Sequence, residues 1–319
     1  MRALLLDGKL KLVEDYPTPE PPSGEALIRV SVAGVCNTDL ELLKGYHQFR
    51  GVPGHEFVGV VERAPAAEAW EGRRVVGEIN VACGACPTCR ANRPTHCPHR
   101  TTLGISGRDG AFAEYLTLPI ANLHPVPDTI PDEVAVFTEP LAAACEIIQQ
   151  VHLRPTDRVI VVGDGKLGLL CAQVLALTGC DLTVVGHHPE KLEIVARQGI
   201  ATVLANAGVE GGADVVVEAT GHPGGYATAR RLVRPRGTIV LKSTYHASLE
   251  VNLTKVVVDE ITLVGSRCGP FAPALRLLER GLVEVAPLIQ ARYPFSEVLA
   301  AFEHAAQPGA LKVLVTLEA

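Results

Sequence analysis

Four cysteines crowd into fifteen residues of the sequence: Cys83, Cys86, Cys89 and Cys97. With two, two and seven residues between them, their thiolates can surround one zinc ion as a tetrahedron that leaves no position open. The spacing therefore predicts a structural zinc site. Iron–sulfur ligation is the alternative, although no redox partner motif accompanies these cysteines.

A second candidate metal site is dispersed along the chain. Cys36 stands in the segment 34–39, and His55 and Glu56 follow nineteen and twenty residues later. A thiolate, an imidazole and a carboxylate, each beside a strand or turn boundary, predict an open zinc site that can also accept a substrate. The other interpretation is that Cys36 and His55 fill the core.

A glycine loop follows a buried strand at 158–162 and opens a helix. Its sequence, 163–168, reads G-x-G-x-x-G. In this context the first glycine permits a tight turn, the second lets a pyrophosphate approach the backbone, and the third allows close helix packing. The alternative is a glycine-rich turn without a ligand. The predicted dinucleotide-binding residues of the loop are Gly163, Gly165, Lys166, Leu167 and Gly168.

The end of the next strand decides which nicotinamide cofactor binds. An acid there would bind the ribose 2′-hydroxyl of NAD, but this chain has Gly186, followed by His187 and His188. Without the acid, and with two histidines, the segment favours NADP over NAD. Alternatively, both histidines merely begin the next helix and NAD binds without that hydrogen bond.

Two kinds of domain must position these residues. The first 135 residues read as short strands broken by glycine and proline, which is typical of an all-β barrel. From about Glu139 strands and helices alternate, which predicts a doubly wound parallel sheet. Its predicted strands are 158–162, 181–185, 201–204, 213–218, 237–241 and 261–264, and its predicted helices are 166–178, 189–198 and 223–233. A helix at 273–280 leads to a last strand at 311–315, which we expect to return to the first domain.

Composition narrows the class of protein. The 319 residues carry 29 Lys and Arg against 35 Asp and Glu, a net charge of −6, without a basic block. We therefore expect no nucleic-acid partner. No apolar stretch is long enough to span a membrane, and the amino end does not resemble a signal peptide. We expect a cytoplasmic protein without a membrane partner.

Taken together, the chain resembles the zinc-containing medium-chain dehydrogenase/reductase family, the alcohol and polyol dehydrogenases. The motifs that carry the resemblance are Gly54-His55-Glu56, the four-cysteine segment, the segment 109–115 and the loop 163–168. The resemblance implies an α/β protein with a GroES-like β-barrel catalytic domain (1–137 and 271–319, including a structural zinc lobe at 80–100). It also implies a Rossmann nucleotide-binding domain (138–270).

The resemblance also assigns the metal ligands. It implies a catalytic zinc held by Cys36 and His55, with Glu56 as a ligand or alternate ligand. Some members have a cysteine three residues after the proline of Glu139-Pro140, where this chain has Ala143. That difference indicates the polyol-dehydrogenase type, in which Glu139 binds zinc directly or through water. Together with the four-cysteine site, the resemblance implies two zinc ions per chain.

Three further roles come from the resemblance. Thr38 matches the hydroxyl that takes the substrate's proton, and Asp39 matches the acid that orients the zinc-binding imidazole. Lys312 matches a basic residue that binds the cofactor pyrophosphate. The relay histidine of some members is replaced by Glu41, so the proton leaves another way, through His47 or the cofactor ribose.

The predicted activity is hydride transfer between NAD(P) and a hydroxylated small molecule: a secondary alcohol, a polyol or a sugar. The segment 46–50 either lines the pocket mouth or is a solvated loop. Alternatives are an enzyme that works as an aldehyde or ketone reductase and a family member that senses nucleotides without turnover. Members pair through the edge of the nucleotide-binding sheet, so we expect a homodimer or homotetramer.

Overall fold

The computed structural model describes residues 1–244 and 248–317, which fall into two compact units. One comprises 1–139 and the chain from Phe271 onward, and the other comprises 140–270. The sequence predicts a boundary at 137/138, two residues before the one in the structure, and a second boundary at 270/271. Among the described residues, every helix is too short or too polar to cross a membrane.

Strands and helices are numbered along the whole chain. The strands are β1 (Ala3–Asp7), β2 (Lys9–Val13), β3 (Glu25–Val35), β4 (Glu56–Arg63), β5 (Arg74–Gly77), β6 (Asn80–Val81), β7 (Thr101–Leu103), β8 (Gly107–Arg108), β9 (Tyr115–Pro119), β10 (Leu123–Pro125), β11 (Arg158–Val162), β12 (Asp181–Gly186), β13 (Ala201–Leu204), β14 (Ala213–Glu218), β15 (Val233–Leu241), β16 (Thr262–Gly265), β17 (Ile289–Pro294) and β18 (Lys312–Thr316). The helices are α1 (Asn37–Leu43), α2 (Pro87–Arg90), α3 (Asp132–Ala135), α4 (Thr138–Gln150), α5 (Lys166–Ala176), α6 (Pro189–Ala196), α7 (Gly224–Leu232), α8 (Leu253–Val258), α9 (Phe271–Glu279) and α10 (Val298–Ala305).

The first unit is built on a seven-stranded sheet. The strand order is β10-β5-β4-β3-β18-β17, and β9 also pairs with β3. β3 is the longest of these strands, and nearly all of its residues are buried because neighbours pair along both of its edges. β18 runs antiparallel to β3, with Val313 opposite Val35. The chain therefore returns to the first domain as predicted, and it brings β18 beside the end of β3.

The second unit is a six-stranded parallel sheet in the order β13-β12-β11-β14-β15-β16. Its central strands β11 and β14 are nearly continuous apolar runs, as expected of parallel strands that are buried on both faces. The order reverses direction between β11 and β14. A crevice forms at the carboxyl ends of strands at such a point, and dinucleotides bind there in sheets of this topology. The predicted doubly wound fold is confirmed.

Two elements of the second unit differ from the prediction. β15 begins at Val233, directly after α7, rather than at residue 237. α8 lies where no helix was predicted, and it contains three consecutive valines (256–258), a residue type that favours strands. The side chain of Asn252 accepts a hydrogen bond from the backbone N–H of Lys255 and caps this helix. A local cap thus overrides the β propensity of the valines.

Candidate active site

Three side chains that can bind one metal ion meet at the end of β3 and the start of β4. Cys36 follows the last residue of β3, and His55 precedes Glu56, the first residue of β4. One ligand atom from each residue lies within 4.8 Å of the other two. His55 and Glu56 are buried, and Cys36 is half-buried. The structure therefore brings together three of the four predicted ligands of the catalytic site.

Two glycines make room for this group. Gly34 lies opposite Glu56 in the β3–β4 pair, and a Cβ at Gly34 would lie 2.5 Å from Oε2 of Glu56. Gly54 has a φ of +101°, and a Cβ there would lie 2.6 Å from Cδ2 of Phe112. Because L-residues with a side chain rarely adopt that conformation, Gly54 permits the turn that presents His55.

Asp39 ties the two segments of the site together. Its carboxylate is fully buried. Oδ2 accepts a hydrogen bond from the N–H of Cys36 at 2.8 Å, and Oδ1 accepts one from the N–H of Gly54 at 3.2 Å. Oδ1 also lies 3.4 Å from Nδ1 of His55. Nδ1 thus faces Asp39, although it is not hydrogen-bonded to a described residue, and Nε2 is the nitrogen left for a metal, as the predicted role of Asp39 requires.

Thr38 places a hydroxyl beside the predicted metal ligands. Its Oγ1 lies 3.8 Å from the sulfur of Cys36, and its side chain is half-buried in the first turn of α1. A group that takes a proton from a substrate must lie within reach of the reacting oxygen. The position of Thr38 is compatible with that predicted role.

The charges around His55 favour its protonated form. Burial alone would lower the pKa of His55, but the charges of Asp39 and Cys36 outweigh burial and raise this pKa well above its ordinary value. A metal ion that binds His55 must therefore displace a proton, so metal affinity rises with pH.

A buried lysine lies against the carboxylate of the site. Nζ of Lys312, in β18, is paired with Oε2 of Glu56, and both side chains are 1% exposed. Burial alone would lower the pKa of Lys312, but the charges of Glu56, Cys36 and Glu139 raise it above its ordinary value. This placement differs from the expected contact with the cofactor pyrophosphate, because the pairing of β18 with β3 carries the side chain to Glu56.

The remaining oxygen of Glu56 indicates what the site can hold. Oε1 is buried and has no hydrogen-bond partner among the described residues. A buried carboxylate oxygen without a donor is costly, and a cation would satisfy it. Sulfur, nitrogen and oxygen are all zinc ligands, and three protein ligands leave one position for a substrate. The residues present fit a catalytic zinc ion.

Glu139 is the predicted ligand that the structure leaves outside this group. It lies half-buried near the start of α4, and the three ligand atoms that gather within 4.8 Å do not include its carboxylate. Its charge nevertheless acts on Lys312. Zinc binding by Glu139, directly or through water, stays a prediction.

The four-cysteine segment has the geometry of a tetrahedral site. Its Sγ–Sγ distances are 3.4 Å (Cys86–Cys89), 3.6 Å (Cys83–Cys97), 3.8 Å (Cys86–Cys97) and 4.0 Å (Cys83–Cys89). Zinc–sulfur bonds of about 2.3 Å place the sulfurs of a regular tetrahedron about 3.8 Å apart. The four distances lie within 0.4 Å of that value, so the four sulfurs fit one zinc ion.

Backbone amides stabilise the thiolate form of Cys83, whereas burial raises the pKa of Cys89 to about 12. The N–H groups of Ala85 and Cys86 lower the pKa of Cys83 to about 6, and the N–H of His99 points at the sulfur of Cys97 at 3.4 Å. Amide hydrogen bonds stabilise thiolates, which are the form that binds zinc. The arrangement supports the predicted structural role of this site.

The glycine loop of the second unit has the shape that a dinucleotide needs. Gly163 has a φ of +124°, and a Cβ there would lie 2.6 Å from the carbonyl oxygen of Ala219. A Cβ at Gly168 would lie 2.1 Å from the carbonyl oxygen of Gly163. Gly165 faces open space and directly precedes α5, at the carboxyl end of β11. Backbone N–H groups at such a helix start can bind a pyrophosphate.

The side chain of Asp164 lies next to the end of β12, and this residue was not among the predicted site residues. Oδ2 of Asp164, from the glycine loop, accepts hydrogen bonds from the N–H groups of His187 and His188 at 2.6 and 2.7 Å. It also lies 3.0 Å from Nδ1 of His188. A Cβ on Gly186 would lie 2.5 Å from Asp164. The combination of a small residue at 186 and an acid in the loop is the signal that could have revealed this contact.

Two family models match the chain. The first, described as an alcohol dehydrogenase GroES-like domain, matches residues 22–128. The second, described as a zinc-binding dehydrogenase, matches residues 167–280. The matches cover both metal segments and part of the dinucleotide loop.

Individual relatives match over nearly the full length. The chain is 31% identical to the sorbitol dehydrogenase of Halalkalibacterium halodurans over 95% of each sequence. A putative zinc-binding dehydrogenase from Sinorhizobium meliloti, solved bound to NADP, has a TM-score of 0.89 at 29% identity over 99% of each chain. A dehydrogenase from Escherichia coli CFT073, rspB, solved with NADH, has a TM-score of 0.89 at 27% identity over 99% of each chain.

Proposed function

This chain belongs to the zinc-containing medium-chain dehydrogenase/reductase family, and on that basis we propose that its substrate is a polyol or a related secondary alcohol. Its reaction is the transfer of a hydride between a hydroxylated substrate and NAD(P). The proposal rests above all on the metal-binding group of Cys36, His55 and Glu56, whose ligand atoms lie within 4.8 Å. The relative that acts on sorbitol supports a polyol.

Each residue of the site has a distinct task. Cys36 and His55 would hold the zinc ion, with Glu56 as a further or alternate ligand. When bound, zinc supplies a Lewis acid for the substrate oxygen, and the nicotinamide accepts the hydride. Asp39 keeps the ring of His55 in place, and Thr38 takes the proton of the substrate hydroxyl at Oγ1 and releases its own toward solvent.

Lys312 determines which oxygen of the Glu56 carboxylate is available to a metal ion. By pairing with Oε2, its ammonium leaves Oε1 as the oxygen available to a cation. It also offsets one negative charge in a buried site that otherwise gathers a thiolate and two carboxylates, an arrangement that would be costly without a compensating cation.

Three finer points belong to the same proposal. The chain holds two zinc ions, one in each of the sites described above. It prefers NADP(H), which the absence of an acid at Gly186 and the presence of His187 and His188 support. It works in the cytoplasm, where the four clustered cysteines would remain reduced and able to bind metal.

The proton-transfer role of Thr38 provides the test of the proposed function. Alcohols, polyols and sugars are screened with NAD⁺ and NADP⁺, and their carbonyl counterparts with the reduced cofactors, by following the absorbance of reduced nicotinamide. With the best substrate, Thr38→Val removes the hydroxyl and keeps the side-chain shape, so kcat should fall about 100-fold.

Thr38→Ser, which restores a hydroxyl, serves as the matched variant and should recover most of the lost activity. If Thr38→Val and the wild-type protein turned over equally fast, Thr38 would not carry the proton. If no hydroxylated compound or carbonyl reacted with either cofactor, the proposed function itself would be wrong.

The proposed homo-oligomer forms through the edge of the second unit's sheet. β16 is the last strand in the sheet order. Beside it in sequence, α8 exposes apolar side chains: Leu253 is 63% exposed, and Val257 and Val258 are each 73% exposed. An unpaired strand edge with exposed apolar groups favours pairing with a second copy.

A charged residue in this surface should disrupt the oligomer. Val257→Asp places a carboxylate where the second copy would bury Val257, so we expect analytical ultracentrifugation to show a smaller species than the wild-type dimer or tetramer. Leu299→Asp, at an exposed apolar residue of the other unit, is the control and should leave the mass unchanged. A wild-type protein that is monomeric would contradict this part of the proposal.

A further inference from the structure

Asp164 and His188 form a pair at the end of β12, where dinucleotide-binding sheets discriminate between the two nicotinamide cofactors. Asp164 is 7% exposed, and all three of its close polar contacts fall on Oδ2. Two of these contacts are backbone N–H groups, and the third is Nδ1 of His188 at 3.0 Å. The carboxylate therefore binds the protein itself at this point of the sheet.

Gly186 is the reason that this carboxylate can be there. A Cβ at residue 186 would lie 2.5 Å from both Cβ and Oδ2 of Asp164. An aspartate or glutamate at 186, the usual acid for a ribose 2′-hydroxyl, is thus incompatible with the observed position of Asp164. In place of an acid at 186 that would face the ribose, the chain has an acid in the glycine loop that binds residues 187 and 188.

Asp164 is ionised in this position. Burial alone would raise the pKa of Asp164, but the N–H and ring of His188 and the N–H of His187 outweigh it and hold this pKa below its ordinary value. Three donors on one carboxylate oxygen stabilise the anion and offset part of its charge. It therefore opposes a nearby phosphate much less than an unpaired carboxylate would.

The contact also fixes the ring of His188. With Nδ1 donating to Asp164, Nε2 is the ring nitrogen left for a ligand. The side chain is 40% exposed, so a ligand can reach it, and His188 immediately precedes α6 at the edge of the predicted adenosine site. His187 differs, because its contact with Asp164 is through the backbone N–H and its side chain is exposed.

We infer that the Asp164–His188 pair recognises the adenosine 2′-phosphate of NADP(H). His188 is the binding residue, through Nε2, and Asp164 is a positioning residue that holds the ring. The inference rests on the NADP(H) preference of the proposed function and gives that preference a named residue. A phosphate at Nε2 and the carboxylate at Nδ1 would lie on opposite sides of the same ring, an arrangement in which each anion can accept a hydrogen bond from it.

The test measures cofactor binding alone, in the full-length protein, by fluorescence titration with NADPH and NADH. His188→Ala should weaken NADPH binding by about 10- to 100-fold, which is the effect of losing one hydrogen bond to a charged group. Its affinity for NADH should change by about twofold at most. Unchanged NADH binding also shows that the variant is folded. His188→Arg, which keeps a cation, should retain tight NADPH binding.

Asp164→Asn tests the positioning role. The amide oxygen can still accept from the backbone N–H groups, but the substitution removes the negative charge that holds the His188 ring, so NADPH binding should weaken while NADH binding does not. The double variant with His188→Ala should bind NADPH no more weakly than His188→Ala alone, because both changes remove the same interaction. His187→Ala separates the two histidines and should weaken NADPH binding much less than His188→Ala does. His152→Ala, at an exposed histidine of the same unit, is the control and should leave both affinities unchanged.

Three results would overturn the inference. Tighter NADPH binding by Asp164→Asn would mean that the carboxylate itself faces the ribose and repels the phosphate. A selective loss in His187→Ala would assign the phosphate to the other histidine. If His188→Ala lost equal affinity for both cofactors, or lost none, His188 would have no role in cofactor selectivity. Because none of these titrations needs zinc or substrate, failure of the proposed function would instead appear as absent turnover with cofactor selectivity intact.

Discussion

Replacing His55 by alanine should abolish turnover while leaving cofactor binding intact. His55 is one of three ligands at the predicted catalytic zinc, and a site with only two protein ligands binds zinc poorly. Zinc lowers the pKa of a bound hydroxyl group by several units, each of which corresponds to about 1.4 kcal/mol. We therefore expect kcat to fall by about 10⁴-fold or more when the ion is lost.

Two further measurements make this result specific. Metal analysis should show that His55→Ala retains about one zinc per chain, and fluorescence titration should give the wild-type affinity for NADPH. Cys36→Ser should behave in the same way. Cys180→Ser, at a half-buried cysteine of the other unit, is the control and should keep both ions and full activity. Substantial turnover by His55→Ala would refute the catalytic role of zinc.

Replacing Cys97 by serine should destabilise the protein and remove the other zinc ion. The sulfur of Cys97 is buried and lies 3.6 and 3.8 Å from those of Cys83 and Cys86. Structural zinc contributes folding free energy directly, so its loss should lower the free energy of unfolding by several kcal/mol. Thermal unfolding monitored by circular dichroism, together with metal analysis, measures both effects.

The two zinc sites should respond independently. Cys97→Ser should retain the ion at Cys36 and His55 and, at temperatures where the variant stays folded, a measurable kcat. Limited proteolysis should then cleave preferentially within residues 80–100. A Cys97→Ser variant with wild-type stability and two bound zinc ions would show that the four cysteines hold no structural metal.

Much of this site could be predicted because its residues are close in sequence or fixed by one backbone requirement. The four cysteines lie within one short segment, so their spacing alone predicted that they bind one metal ion together. Gly163 and Gly168 of the 163–168 loop have no room for a Cβ, which is why the loop is recognisable as a motif. Continuous apolar strands such as β11 and β14 matched their predicted bounds because burial on both faces leaves little ambiguity.

The features that the sequence did not reveal depend on tertiary contacts. Lys312 was expected at the pyrophosphate, but the register of β18 against β3 places it on Glu56, 256 residues away in sequence. Asp164 reaches His188 only because Gly186 leaves space between β11 and β12. α8 follows a cap rather than the propensity of its valines. Neither the register of two distant strands nor the space beside a residue in the fold can be read from a single sequence.

Anomalous diffraction at the zinc absorption edge, from crystals of the wild-type protein, tests the central claim most directly. We expect two peaks in each chain, one enclosed by the four cysteine sulfurs and one between Sγ of Cys36 and Nε2 of His55. A single peak at the cysteines, with Cys36 and His55 turned away from each other, would contradict the assignment of this chain's chemistry to that site.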